Sequence, residues 1–457
     1  MRRPAKRQSV TARIVCGIAA ALALVAPAAA AQEPTAEDQL RSTIAAQMAQ
    51  GPPAAGALVV DLTDGHVVFD DRSDAKLLAA SVTKLYTTAT ALTRLGTRTR
   101  LSTRVLATGR RDGATWVGNL YLRGGGDFTF GTATFARNAY GSSASVERLA
   151  TALRRAGLRR IRGRVLGDAS LYTDNGGTPF SLILCPDPLF GRDCPYGPAG
   201  RLERPIPNGP RTPIGFDRGL RSDAGPAPQN RPARFAAHRL IAAMRDAGIR
   251  VEGRAGGART PARARALAAT QSPPVARLVQ LINQPSDNYA ADSMLRLLGA
   301  RLAADGSRAG GVRVVSDTIA GRFALAPEIE SGSGETIRDR TSPRELVQLL
   351  IGMRARPEGS AFAQSLSLAG RSGTLLRFAG TVAEGRCQLK DGTRVDPIQP
   401  NTTLNITGYC TSAGGRPFAF AVMMNGMPLE FVPPDQIVSP AYALQDQIVQ
   451  ALAEYQG

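Results

Sequence analysis

The stretch "AASVTKLYTTATAL", residues 79–92, contains the pattern from which the fold is predicted. Its apolar positions, among them Leu85 and Leu92, recur at spacings of three and four residues, which is typical of a helix with one buried face. Side chains that are three residues apart on a helix lie over the same face. We therefore predict that Ser81 lies at the start of this helix and that Lys84 lies one turn later, beside it.

Lysine is scarce in this chain. Of its 56 lysine and arginine residues, 52 are arginine, and the lysines are Lys6, Lys76, Lys84 and Lys390. Arginine stays protonated in proteins, whereas a lysine that is buried or close to another cation can lose its proton and act as a base. Lys84, next to a serine, is therefore a candidate base. For Lys76, chance survival in an arginine-rich composition is an equally good interpretation.

The first 31 residues differ from the rest of the chain. A basic start is followed by the short apolar run "IVCGIAAALALVAP" and by small residues, which is typical of a secretory signal peptide. The run is short for a membrane span. We therefore predict an exported protein of the periplasm or cell-wall space, with no stable membrane span after cleavage; tethering by an uncleaved segment is the alternative.

The chain is strongly basic, with a formal net charge of +19 that falls to +14 when residues 1–31, with five cations and no acid, are removed. The export signal argues against a nuclear or DNA-binding role and predicts no nucleic-acid partner. A basic exported protein is attracted to polyanions such as those of the cell envelope. An arginine-rich genome explains the charge equally well.

The cysteine content suggests disulfides. Outside the signal peptide there are four cysteines: Cys185, Cys194, Cys387 and Cys410. An even number in an exported chain predicts two bridges, with three possible pairings, of which the local one is favoured because each pair brackets one loop. A zinc site is disfavoured because His66 and His238 do not lie near these cysteines, and we expect no metal.

The order of elements suggests one domain interrupted by another. Two strand-like runs surround Asp64-Gly65 and predict a hairpin, and helical patterns return after about residue 270. At 457 residues, two or three domains are expected. We predict an α/β fold in four segments: signal peptide 1–31, first part of the main domain 32–96, inserted β-rich region 97–269, and second part 270–457.

Three short motifs combine chemically useful residues: Ser81-Val-Thr-Lys84, Ser286-Asp-Asn288 and Lys390-Asp-Gly-Thr393. A serine hydroxyl is a weak nucleophile until a base removes its proton, and a lysine one helical turn away can be that base. Lys390 is a candidate for the nearby cation that lowers the pKa of Lys84. Each motif is common alone; their order and their placement on a predicted helix, loop and strand favour a nucleophilic serine site.

The motifs make the sequence resemble the D-alanyl-D-alanine carboxypeptidase/endopeptidase group, that is, peptidase S13 or the class C low-molecular-mass penicillin-binding proteins. The stretches that carry the resemblance are "ASVTKLYTTATAL", "GNLYLRGGGD", "SPPVARLVQLINQPSDNYAADSMLR" and "GRCQLKDGT". The separation of 205 positions from Ser81 to Ser286 matches the insertion of that group. The resemblance implies a β-lactamase/transpeptidase-like domain, an antiparallel sheet with flanking helices, interrupted by the large insertion.

The resemblance also implies a role for each motif residue. Ser81 would be the acylated nucleophile and Lys84 its base. Ser286 would relay a proton to the leaving group, with Lys390 tuning it. Asn288 would hold the peptide of the substrate.

The third motif completes the implied site. The backbone N–H groups of Ser81 and Thr393 would bind the oxyanion. Asp391, Gly392 and Thr393 would contact the substrate. The implied reaction cleaves the bond between two D-alanines of peptidoglycan stem peptides, or a cross-link between stems, without a cofactor. β-Lactams would acylate Ser81. A Ser-His-Asp hydrolase is disfavoured, and Asp127 has no assigned role.

Asp391 departs from the family, in which a threonine or serine stands at this position. Three hypotheses follow. In the first, Asp391 stays protonated or points away and leaves Thr393 to bind the substrate carboxylate. In the second, the enzyme prefers stems whose carboxylate is masked, for example amidated, and in the third the protein is a catalytically impaired peptidoglycan-binding module. "GRSGTLLRF", with Arg371 in place of the lysine, is a rival third motif. Ser331 is a second departure, since an aspartate usually precedes Gly-Ser-Gly.

Overall fold

The structure is a computed structural model. It describes residues 34–174, 176, 180–181, 206–221, 227–395, 401–428, 430–432, 436–438 and 440–457. The predicted signal peptide and the predicted Cys185–Cys194 bridge therefore lie outside the described residues. Nearly all described residues belong to one compact unit, Ala36–Gly457. In the part of the chain that is described, no helix combines the length and the apolar character needed to cross a membrane.

The helices and strands are numbered in chain order. The helices are α1 (Ala36–Ala49), α2 (Lys84–Leu95), α3 (Ala133–Tyr140), α4 (Val146–Arg155), α5 (Pro232–Asp246), α6 (Val275–Asn283), α7 (Asn288–Leu302), α8 (Arg308–Phe323), α9 (Pro343–Arg354), α10 (Gly359–Ser365) and α11 (Pro440–Glu454). The strands are β1 (Ala54–Asp61), β2 (Val67–Asp71), β3 (Leu77–Leu78), β4 (Arg100–Ala107), β5 (Arg110–Asp112), β6 (Thr115–Val117), β7 (Leu120–Arg123), β8 (Arg160–Arg162), β9 (Val165–Asp168), β10 (Phe180–Ser181), β11 (Ile206–Pro207), β12 (Leu220–Arg221), β13 (Ala227–Pro228), β14 (Arg250–Val251), β15 (Ala255–Gly257), β16 (Arg265–Pro274), β17 (Arg340–Thr341), β18 (Ser367–Leu368), β19 (Cys387–Val395), β20 (Asn401–Thr411), β21 (Pro417–Pro428), β22 (Glu430–Val432) and β23 (Gln436–Val438).

The largest sheet has six strands in the order β18-β19-β20-β21-β1-β2, and every neighbouring pair is antiparallel. Its first two strands in the chain form the hairpin predicted at Asp64-Gly65, where Gly65 has a φ of +85° that suits glycine. One face packs against α1 and α11 in a core that includes Ile44, Phe420 and Ile448. The sheet thus joins both ends of the chain, as the predicted α/β fold with an antiparallel sheet and flanking helices requires.

The other face of this sheet supports a second core, in which α2 is the central helix. Every residue of α2 from Lys84 to Leu92 is buried. The complete burial of leucines such as Leu85 and Leu92 contributes about 2 kcal/mol each relative to exposure. The predicted helix is therefore present, but Lys84 is its first residue, because Ala80–Thr83 forms a 3₁₀ turn before it.

The middle of the chain forms a third core around two smaller sheets, with strand orders β15-β9-β7-β4-β16 and β14-β8-β6-β5. These sheets are mixed, since β9 pairs in parallel with both β7 and β15. Helices α4 and α5 also contribute to this core. The region is rich in strands, as predicted; the boundaries proposed at residues 96 and 269 stay predictions.

The second predicted disulfide lies in the large sheet. Cys387 and Cys410 face each other on β19 and β20 and are bonded. The pairing follows from the register of the two strands, which brings the ends of the intervening loop together. This bridge confirms half of the predicted pairing.

Candidate active site

The first motif places a serine and a lysine in direct contact. Ser81 lies in the 3₁₀ turn, and the Nζ atom of Lys84 is 2.8 Å from its Oγ atom. Lys84 is completely buried, and its Nζ atom also lies 2.6 Å from Oδ1 of Asn288 and 2.8 Å from the carbonyl oxygen of Ser333. The amine is therefore held in one position, pointing at the hydroxyl.

The surroundings of Lys84 favour its neutral form. Burial lowers the pKa of Lys84, and the positive charge of Lys390 lowers it further. The carboxylates of Glu335, Asp292 and Asp287 oppose these effects, and the resulting pKa is about 7. At neutral pH a large fraction of Lys84 is therefore unprotonated and able to accept a proton.

The second motif lies at the start of α7. The side chain of Asp287 caps this helix by accepting a hydrogen bond from the backbone N–H of Ala290, at 3.0 Å, and it is also paired with Arg218. Ser286 has a φ of +59°, a strained conformation for a residue with a side chain, and such strain is of order 1–3 kcal/mol. These contacts fix Asn288, the first residue of α7, against Lys84.

The third motif lies on β19. Lys390 is fully buried, and its Nζ atom donates to Oγ of Ser286, at 2.9 Å, and to the backbone oxygen of Asp391, at 2.6 Å. The next strand residue on the same face is Gly392, where a Cβ atom would lie 3.2 Å from the amide nitrogen of Ser81. Glycine at this position lets β19 approach the backbone of the serine turn closely.

The structure therefore brings seven of the eight predicted residues into one connected group: Ser81, Lys84, Ser286, Asn288, Lys390, Asp391 and Gly392. The side chain of Thr393 is the exception. Its Oγ1 atom lies 3.0 Å from the hydroxyl of Tyr442 on α11, on the other face of the strand. Arg371, the rival for the lysine position, is exposed and pairs with Glu384 instead.

Asp391 is an anion within this group. Burial raises the pKa of its carboxyl group, but the positive charges of Lys390 and Arg377 and a hydrogen bond from Thr374 outweigh burial, and the pKa is lowered overall. Its Oδ1 atom is 3.1 Å from Nζ of Lys390 and 2.7 Å from Oγ1 of Thr374. A protonated Asp391 does not fit these surroundings. The other form of the same hypothesis, that Asp391 points away from the substrate, stays a prediction, and the contact with Thr374 is compatible with it.

Several residues of the site are not predicted by the sequence motifs. Glu335 accepts a hydrogen bond from Nδ2 of Asn288, at 3.0 Å, and Arg211 lies within 3.5 Å of Asp292 and 3.9 Å of Glu335. Asp292 in turn holds the loop of Ser333, whose Oγ atom donates to it at 3.2 Å. The signal available in the sequence is the glycine-rich stretch "SGSGE", residues 331–335.

The loop with Ser331 still depends on an aspartate, one that comes later in the chain. Asp339 accepts hydrogen bonds from the backbone N–H and the hydroxyl of Ser331, at 3.0 and 2.7 Å. Gly334 of the same loop has a φ of +83°, and a Cβ atom there would collide with the carbonyl oxygen of Ala80. The loop therefore packs directly on the serine turn.

The remaining candidates lie away from this group. Lys76 pairs with Glu345, and the ring of His66 lies between Asp64 and Glu37. His238 is exposed on α5. Asp127 is buried and accepts hydrogen bonds from Thr129; burial raises its pKa to about 6. The described ranges contain no group of three or more His, Cys, Asp or Glu side chains that could hold a metal ion.

Comparisons with known proteins agree with this geometry. The D-alanyl-D-alanine carboxypeptidase of Actinomadura sp. (strain R39) is 26% identical over 469 aligned residues, which cover 88% of this chain and 81% of that protein. Carboxypeptidase DacB of Mycolicibacterium smegmatis is 28% identical and covers 84% of this chain and 80% of its own length. The chain is thus similar to these carboxypeptidases over most of its length.

The fold is shared with a solved structure. Penicillin binding protein 4 of Haemophilus influenzae superposes with a TM-score of 0.66 at 19% identity, covering 90% of this chain and 98% of that one. The model of the D-Ala-D-Ala carboxypeptidase 3 (S13) family matches residues 40–179 and 227–447, the greater part of the sequence. The chain therefore belongs to the peptidase S13 family, and it is a serine-type D-Ala-D-Ala carboxypeptidase by that membership.

Proposed function

We propose that the protein cleaves the terminal D-Ala-D-Ala bond of peptidoglycan stem peptides through an acyl-enzyme on Ser81. The observation that carries the proposal is the 2.8 Å contact between Oγ of Ser81 and a buried lysine amine with a pKa of about 7. A base with a pKa near the working pH is the most effective in transferring a proton. Neutral Lys84 takes the hydroxyl proton while Oγ attacks the carbonyl carbon of the penultimate D-alanine.

The second half of acylation needs a proton for the leaving group. The carbon–nitrogen bond breaks, and Ser286 donates its proton to the departing amine. The proton of Ser286 is replaced from Lys390, whose Nζ atom is 2.9 Å away. Solvent water carries the proton that Lys84 has gained to Lys390, and this restores both amines. The negative charge on the carbonyl oxygen is stabilised by the backbone N–H groups of Ser81 and Thr393. The close approach of β19 at Gly392 supports this arrangement.

Deacylation uses the same groups. Lys84 removes a proton from water as the water oxygen attacks the ester carbon. The ester carbon–oxygen bond then breaks, Ser81 regains a proton, and the shortened peptide leaves. A cross-link between stems presents a similar amide, and a β-lactam presents a strained one, so the proposal includes endopeptidase activity and acylation of Ser81 by β-lactams. Residues 1–31 support the further proposal that the protein acts outside the cytoplasm.

The test is covalent labelling with a fluorescent penicillin. The intact protein is expected to bind the label in a 1:1 ratio, and trypsin, which cleaves after Lys76 and Lys84, is expected to release it on the peptide "LLAASVTK". Mass spectrometry identifies the peptide. Absence of a label, or a label on another peptide, would support the alternative of a catalytically impaired binding module.

We further propose that the site prefers a leaving group whose carboxylate is masked. The carboxylate carbon of a terminal D-alanine is two covalent bonds from the amine that Ser286 protonates, and Lys390 links Ser286 to Asp391 through contacts of 2.9 and 3.1 Å. Two like charges about 5 Å apart repel each other by about 3 kcal/mol when the effective dielectric constant is about 20. The charge of Lys390 is already offset by Asp391, at 3.1 Å.

This preference predicts that an amidated pentapeptide is hydrolysed with at least a tenfold higher kcat/KM than the same peptide with a free carboxylate. Asp391→Asn is expected to raise kcat/KM for the free peptide about tenfold, because the repulsion is removed, and to change the amidated peptide little. Glu384→Gln, which removes the same charge from a partly exposed residue, is the matched control. Equal rates on the two peptides in the wild-type protein would contradict the preference.

A further inference from the structure

The positive charge of this protein is concentrated in the middle of the chain. Residues 97–269 contain 29 arginines, no lysine and 12 acidic residues, a formal net charge of +17. Residues 32–96 and 270–457 together contain 22 basic and 25 acidic residues, a net charge of −3. An arginine-rich genome would raise the charge of all these segments, so the concentration in one region requires a local explanation.

Part of this charge lines a groove. Two adjoining cavities of about 610 and 850 Å³ share Arg231, Arg234 and Ala255, and so form one continuous depression. Five exposed arginines that line it, called the basic groove below, are Arg164, Arg231, Arg234, Arg245 and Arg254. The groove belongs to the middle of the chain, and it does not include Ser81 or the other motif residues.

The fold places these arginines side by side. Helix α5 packs against β9 and β15, and it carries Arg234 and Arg245. Arg164 and Arg254 directly precede β9 and β15, which pair in parallel at Val165 and Ala255, so the two arginines are neighbours across the sheet. Like charges that are direct neighbours on paired strands destabilise a sheet. The two arginines therefore repel each other at the surface of the protein.

Within the described residues, the two carboxylates that line the groove are paired with arginines other than the five of the basic groove. Of its acidic lining residues, Glu252 is paired with Arg160, at 2.6 Å, and Asp174 with Arg296, at 2.7 Å. Within the described residues, none of the five groove arginines forms an ion pair. An anion that enters the groove would therefore meet several guanidinium groups that no carboxylate of the described residues pairs with.

We propose that the basic groove binds a flexible anionic polymer with repeated phosphate or carboxylate groups. The planar guanidinium group binds either oxyanion through two parallel hydrogen bonds. A chain with repeated charges can occupy both cavities at once, whereas a single small ion would neutralise only part of the groove. Binding releases the counterions of the polymer and is therefore strongly salt-dependent. This site is separate from the proposed catalytic function and does not rest on it.

The test compares two triple variants of the full chain. Arg164→Gln, Arg234→Gln and Arg254→Gln remove charge from the groove. The control variant removes the same charge from exposed arginines of the same region that line neither cavity: Arg110→Gln, Arg137→Gln and Arg263→Gln. Binding is measured by fluorescence anisotropy at about 150 mM salt. Labelled poly(glycerol phosphate) is the phosphate probe and poly-L-glutamate the carboxylate probe.

We expect the wild-type protein to bind at least one polymer, and the tighter one identifies the group that is recognised. The groove variant should bind it at least tenfold more weakly, and the slope of log K against log salt should fall by about 2, since each lost contact accounts for about 0.7–0.9. The control variant should change affinity less than twofold, and both should hydrolyse a short soluble peptide at the wild-type rate. Equal losses in the two variants, no binding by the wild type, or tighter binding of duplex DNA than of either polymer would overturn the proposal.

Discussion

Replacement of Ser81 by alanine is expected to abolish both penicillin labelling and peptide hydrolysis, with a loss in kcat of about 10⁴-fold or more. The reason is that no other nucleophile contacts the base. Besides Ser81, the Nζ atom of Lys84 contacts only the amide oxygen of Asn288 and the backbone oxygen of Ser333 within the described residues. Neither oxygen can replace a hydroxyl group.

The measurement is a gel assay with fluorescent penicillin together with the release of D-alanine from a pentapeptide. Ser360→Ala, on the exposed start of α10, is the matched serine control and should behave as the wild type. Thermal unfolding of both variants shows whether the fold is retained. A folded Ser81→Ala protein that still forms a stable adduct would place the nucleophile elsewhere.

Replacement of Lys84 by arginine is expected to lower the rate of acylation by about 10³-fold or more, within the range that general-base catalysis contributes. Arginine keeps a positive charge in the same place, but its guanidinium group stays protonated in proteins and cannot accept the proton of Ser81. Lys76→Arg is the matched control. Lys76 pairs with Glu345 away from the site, and an arginine can form the same ion pair.

The pH dependence gives the same hypothesis a second measurement. Lys84 acts in its unprotonated form, and its pKa is about 7, so the wild-type acylation rate should rise with pH through about 7 and fall about tenfold per unit well below it. The residual rate of Lys84→Arg should lack this rise. A wild-type rate that is constant between about pH 5 and 8 would show that Lys84 is not the titrating base.

The sequence was informative where a short segment determines its own geometry. Neighbouring residues determine the helical period of the first motif and the Asp64-Gly65 hairpin. Two adjacent strands determine the Cys387–Cys410 bridge. The start of this helix differs from the prediction only in detail: Lys84 lies one turn after Ser81, but Ser81 belongs to a 3₁₀ turn that directly precedes α2. Gly334 and Gly392 approach this turn closely, and such contacts between distant segments are not encoded in the local pattern.

The charged surroundings of the site were not predictable in the same way. Arg211 comes from a stretch rich in proline and glycine, which has no periodicity to indicate that its side chain is buried next to Asp292. Glu335 likewise lies far from Asn288 in sequence, and only folding brings the two together. Such contacts depend on how separate cores pack, which local patterns do not encode.

Arg211 and Arg218 come from the middle of the chain and lie against acidic residues close to Lys84, so the two regions are not exchangeable modules. Arg218 pairs with Asp287, and Arg211 lies near Asp292 and Glu335; all three acids raise the proton affinity of Lys84. A shortened enzyme that lacked this region would leave these anions without their counterions, and its lysine would hold a proton more tightly. Miniaturising the protein therefore requires neutralising the three acids as well as closing the gap in the chain.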